Sequence, residues 1–69
     1  MRLRERRIEK GMTLVQVARQ VHTNVGNLSR IERGLQFPSP RLAIRIGRTY
    51  GMALEDVFAA AVPDHPPAA

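Results

Sequence analysis

Sixty-nine residues suffice for one small domain with a single marginal core, and the absence of cysteine excludes disulfides and cysteine-held zinc as staples. The formal charge of +5 is uneven: all eleven basic residues, ten of them arginine, lie between Arg2 and Arg48, opposed there only by Glu5, Glu9 and Glu32, so this part carries +8 and the remainder −3. No apolar run approaches a membrane span and the charged N-terminus lacks a signal-peptide core, so a soluble, cytoplasmic protein is expected, with a nucleic-acid partner favoured over an anionic membrane surface.

Residues 2–10 read as a first helix, with Leu3 and Arg7 on one face, Ile8 on the surface, and Gly11 as the stop before Met12 enters the core. A second helix begins at Thr13, where a hydroxyl N-cap with Gln16 three residues on forms a capping-box pattern. Val17, Ala18 and Val21 make its inner face, and Ala18 is small enough to let another helix cross. His22-Thr23-Asn24 interrupts the pattern. His22 is expected at positive φ with its ring in solvent, because a helix ending this tightly needs a left-handed residue and histidine is enriched among the non-glycines found there. Asn24 caps a third helix, which turns Leu28 and Ile31 inward and Asn27, Ser29, Arg30 and Arg33 elsewhere before Gly34 ends it.

Two short helices joined by a turn of this length form a helix-turn-helix unit, whose second helix has a polar outer face that suits a DNA major groove. Residues 35–38 read as a loop in which Phe37 is expected to reach the core. Ser39 then caps a fourth helix with Pro40 in its first turn. Leu42, Ala43, Ile46, Gly47 and Tyr50 face inward, while Arg41, Arg45 and Arg48 form an outward stripe. Gly51 closes that helix. A fifth follows over residues 54–61, weakly started because Ala53 supplies no side-chain cap. Tyr50 and both phenylalanines are expected to be buried, which leaves no aromatic platform for single-stranded nucleic acid. The prediction is one all-α domain at residues 1–61, five short helices round one core, followed by a disordered Pro-rich tail at residues 62–69.

No catalytic or metal constellation stands out. His22 and His65 lack a partner at ligand spacing, Glu55 and Asp56 point different ways on a helix, and no glycine-rich phosphate loop or activated serine is present. No enzyme, cofactor, metal or small-molecule ligand is therefore expected.

Arg7, Gly11-Met12-Thr13, Ala18, Ser29-Arg30-Ile31-Glu32-Arg33-Gly34, Pro38-Ser39 and Leu54-Glu55-Asp56-Val57-Phe58 follow one another in the order of a known pattern. In these residues the chain resembles the phage-repressor/Cro type of helix-turn-helix domain, the Xre family, over about four-fifths of its length. The resemblance implies a lambda-repressor-like fold with the helix-turn-helix at helices two and three. It implies base contacts from the positions of Asn24, Val25, Gly26, Asn27 and Arg30, and phosphate contacts from Thr13, Leu14, Arg33, Gln36 and the backbone at Phe37. It also implies an ion pair between Arg7 and Glu32, joining helix one to the recognition helix. Chemically, Asn27 suits adenine and Arg30 suits guanine, whereas Val25 offers only apolar contact and Gly26 none. The implied function is a transcriptional regulator, in the first instance a repressor that binds a pseudo-palindromic DNA operator as a homodimer through helix five and its approach, where Met52 and Val57 would be partly exposed. The alternative is an antitoxin that binds a toxin protein and represses its own promoter.

Overall fold

The computed structural model describes residues 2–61, and the expected tail at 62–69 lies outside the described residues. Five helices occur among them, with no strand: α1 Leu3–Glu9, α2 Leu14–Gln20, α3 Val25–Glu32, α4 Pro40–Tyr50 and α5 Leu54–Ala61. Each of the three middle helices starts for a local reason. Thr13 and Gln16 close a full capping box on α2, the Asn24 side chain accepts from Asn27 N on α3, and Ser39 accepts from Leu42 N on α4, with Pro40 in the first turn. Helix α1 is shorter than the sequence suggests: Arg2 stands at its N-cap without a side-chain cap bond, and Lys10 already serves as the C-cap.

One face of every helix supplies the core. Leu3, Val17, Ala18, Val21, Leu28, Ile31, Leu42, Ala43, Ile46, Tyr50, Val57 and Ala61 are buried, and Met12, Leu14, Met52 and Phe58 pack against them. Helix α3 leans on α2, and α4 packs on both α2 and α5. Ile8 is exposed, in keeping with its place off the apolar face.

Two expectations about burial fail. Phe37 is 53% exposed, because the buried Pro38 next to it takes the inward place; its ring stacks on the half-buried Phe58 instead, with centroids 5.6 Å apart. Val57 is fully buried and so unavailable for a dimer face; the large apolar residue of α5 left in the open is Leu54, with Ile44 of α4 also exposed.

The turn between α2 and α3 hinges on His22, the one non-glycine residue at positive φ among those described, at 60°, with its side chain in solvent. The Thr23 N–H reaches back to the Ala18 carbonyl at 2.9 Å, closing the end of α2 as the chain leaves it. A Cβ at this φ is strained by about 1 kcal/mol. His22→Gly is expected to keep or slightly raise the melting temperature, since the relief of strain offsets glycine's greater freedom when unfolded; a loss above about 1 kcal/mol by denaturant titration would contradict that account.

Gly47 has a different role. It sits in mid-helix on the buried face of α4, where a Cβ would stand 2.6 Å from the Met52 carbonyl oxygen and 3.4 Å from Val57 Cγ2. The Met52 N–H bonds the Gly47 carbonyl at 2.8 Å, folding the chain after Gly51 tightly over the helix end. Backbone cannot move aside as a side-chain tip can. Gly47→Ala is therefore expected to destabilise by about 1–3 kcal/mol despite alanine's better helix propensity. Thermal melting tests this, and an unchanged or higher Tm would show that the α4–α5 corner has slack.

Candidate nucleic-acid interface

Helix α3 stands with Leu28 and Ile31 fully buried and its other side open. Along that open side lie Asn24, Val25, Gly26 and Arg30, all exposed, and the half-buried Asn27. The structure thus brings the five candidate base-contacting residues onto one surface, but their side chains are not equally available. The Asn24 oxygen is occupied as the helix cap, accepting from Asn27 N at 2.7 Å. Val25 presents only methyl groups. The Arg30 guanidinium folds back along the helix until its Nη1 lies 3.5 Å from where a Cβ of Gly26 would be, so the bare Gly26 backbone forms the floor beneath it.

Asn27 and Arg30 belong to a line of hydrogen bonds. The Asn27 amide nitrogen donates to Thr23 Oγ1 at 2.7 Å, Gln36 Nε2 donates to Asn27 Oδ1, and Arg30 Nε donates to Gln36 Oε1 at 3.0 Å. Gln36 therefore lies beside the base-contact candidates rather than apart from them. Thr23 is not among the residues the sequence singles out, although Thr23 and Asn27 stand four apart, a spacing at which side chains meet along a helical turn. Nothing local could place Gln36 next to Arg30, because the contact depends on how the loop folds back after Gly34.

The candidate phosphate contacts are more scattered. Thr13 uses its hydroxyl to accept from Gln16 N at 3.1 Å, and its own N–H donates to Gln16 Oε1 at 2.8 Å. Leu14 is half-buried and packs against the core. Arg33 is exposed at the end of α3, with Nε 3.4 Å from the Ser29 carbonyl oxygen, and Phe37 lies open on the loop beyond. Between α1 and α3 runs a cleft of about 430 Å³ lined by Arg2, Arg4, Arg7, Leu14, Ser29, Glu32 and Arg33. Four arginines line it beside one carboxylate, that of Glu32.

Its partner is Arg7. Arg7 Nε lies 2.8 Å from Glu32 Oε2, Nη2 lies 3.2 Å from Oε1, and Nη1 donates to the Met12 carbonyl at 3.0 Å. The side chains are only 12% and 5% exposed. The hydrogen bonds to Glu32 hold the Arg7 pKa above its ordinary value, against the opposing effect of burial. Tyr50 lies close by in charge terms: burial first, and then the Glu32 carboxylate, push its phenol up to about 12, so it stays neutral in ordinary buffers. The pair fastens α1 and the chain before α2 to the back of α3.

No helix among the described residues is long and apolar enough to cross a membrane, and no cluster of three or more potential metal-ligating side chains occurs among them. Residues 1–60 match the model of a family described as a helix-turn-helix domain. A relative from Archaeoglobus fulgidus, an uncharacterized HTH-type transcriptional regulator, is 37% identical over 57 residues, which make up 83% of this chain and 81% of the relative. No solved structure matches.

Proposed function

The chain belongs to the helix-turn-helix domain family, and from that premise we propose that it is a cytoplasmic, sequence-specific regulator of transcription that binds duplex DNA through the open face of α3. The supporting observation is the Arg30 guanidinium, exposed over the bare backbone of Gly26 on a helix whose back is locked in the core. A planar fork with two outward nitrogens suits the O6 and N7 of guanine in the major groove. Val25 adds apolar contact, for instance to a thymine methyl, and the Asn24 and Asn27 amides lie on the same surface. Thr13, Leu14, Arg33 and Phe37 surround this face as the candidates for backbone contact, with Arg2 and Arg4 close to Arg33 across the cleft.

One such face reads only a few base pairs. Two copies on half-sites one helical turn apart supply the remainder, so the protein acts as a homodimer on a pseudo-palindromic operator, in the sense of a repressor. The surface available for pairing is that of Ile44, Met52 and Leu54, where α4 and α5 leave apolar side chains open.

Selection of bound sequences from random duplex DNA tests the reading. An enriched two-fold motif is expected. Arg30→Ala should then erase discrimination at one base pair per half-site, worth about 1–3 kcal/mol, whereas Arg33→Ala should weaken all duplexes alike. Failure to enrich any motif, or the same uniform loss from both substitutions, would overturn the assignment.

A further inference from the structure

The bonds from Thr23 through Asn27 and Gln36 to Arg30 join the turn, the recognition helix and the loop beyond it. We propose that Gln36 is a positioning residue for base reading: it holds the Arg30 guanidinium in one orientation and does not itself read a base or grip a phosphate. The proposal rests on α3 being the DNA-reading helix.

The direction of the chain is fixed by chemistry. Arginine has donors only, so Gln36 must turn its oxygen to Arg30. Its nitrogen then faces Asn27, which must offer its own oxygen in return. That leaves the Asn27 nitrogen for the Thr23 hydroxyl, which can accept. Reversing either amide alone would set donor against donor, so a single arrangement satisfies all three bonds.

Its effect on Arg30 follows from geometry. Nε–H lies in the guanidinium plane, so a bond from it to an anchored acceptor sets the angle of that plane. The acceptor is anchored, because Gln36 is tied to Asn27 and Asn27 to Thr23. With Nε engaged at 3.0 Å, the two Nη groups are the pair left to meet guanine O6 and N7. The missing side chain at Gly26 keeps the space over the helix open for them. Asn27 retains one N–H and one lone pair after making both bonds, so it serves as the anchor of the chain rather than as a two-bond reader of adenine. An arginine already held in its binding orientation loses less freedom on meeting the base than one that must be frozen on the DNA.

The test uses Gln36→Ala and Gln36→Met, the latter keeping the length of the side chain without its polar atoms. Two measurements are made. In the free protein, the Arg30 Nε–H resonance is followed by ¹⁵N NMR; in binding, affinity is measured for the selected duplex, for the same duplex with the Arg30 base pair exchanged, and for unrelated DNA. Wild type should show an Arg30 Nε–H slow to exchange with water, and both variants should lose that protection. Discrimination at the Arg30 pair should fall roughly threefold to tenfold, while affinity for unrelated DNA and its salt dependence stay as they were. In an Arg30→Ala background, Gln36→Ala should cause no further loss of discrimination.

A uniform drop in affinity with a flatter salt dependence would make Gln36 a phosphate contact and overturn the proposal. A new preferred base at another pair would make it a reader and overturn the proposal equally. Unchanged Nε–H protection in Gln36→Ala would show that no tether exists. If wild type failed to distinguish any duplex, the DNA reading itself would fall and the positioning role with it, whereas the NMR result would still decide whether the tether is real.

Discussion

Glu32→Ala should lose about 3–5 kcal/mol of stability, more than truncation of an exposed charged residue on the α1–α3 side of the molecule. The substitution removes both carboxylate oxygens from Arg7, which keeps only the Met12 carbonyl as a partner. Arg7 cannot escape by losing its charge, because its pKa lies far above any usable pH and is raised further in the fold. A positive charge at 12% exposure is then left without its counter-ion. For a domain of this size, whose whole stability is on the order of 5 kcal/mol, that loss empties the folded state near body temperature. Glu9→Ala is the matched control. Glu9 lies 3.6 Å from Arg6, but its side chain is 53% exposed, and such a pair contributes below about 1 kcal/mol. Urea titration of the two variants at low temperature gives the comparison, and similar midpoints would rule out a structural role for the buried pair. Replacing both partners together with Arg7→Met and Glu32→Leu should be milder than Glu32→Ala, since no charge is then stranded.

Binding to the preferred duplex should weaken by ~10³–10⁵ when monovalent salt is raised from 50 to 200 mM. That range corresponds to roughly 6–10 phosphates neutralised by a dimer, each releasing a condensed counter-ion. The charges are suitably placed: Arg2, Arg4 and Arg33 border one cleft, and Arg7, which also lines it, is already committed to Glu32. The acidic residues of the described C-terminal region, Glu55 and Asp56, lie in the first turn of α5, away from that cleft. Fluorescence anisotropy at a series of salt concentrations measures the slope directly. A shallow slope, or tighter binding to single strands than to duplex, would contradict the proposed function at its root.

The helices were legible because their boundaries are written locally. Thr13 with Gln16, Asn24, Ser39 with Pro40, and Gly51 each act within one turn of the chain, and each does in the structure what its residue type suggests. His22 was legible for the same reason, since its left-handed backbone answers a local demand of the turn. What could not be read depends on distant neighbours. Phe37 and Pro38 are both apolar and adjacent, and only the packed fold decides which of them turns inward. Val57 is drawn fully into the core beneath Gly47, while Leu54, no less apolar, is left outside. Hydrophobicity alone does not separate these cases. The candidate reading face shows the same division: the resemblance pointed to Arg30 and Asn27, but the bonds that hold them come from a loop whose return path no periodicity encodes.

Helix α3 contributes Leu28 and Ile31 to the buried core, and its open face contributes nothing to it. Mutation can therefore act on the two faces independently. On the proposed function, a change at Val25 or Arg30 would alter what the surface recognises without weakening the scaffold, whereas a change at Leu28 or Ile31 puts the whole domain at risk. A lineage carrying this scaffold can explore new target sequences through single, tolerated steps, and its regulatory wiring is free to diverge far faster than its architecture.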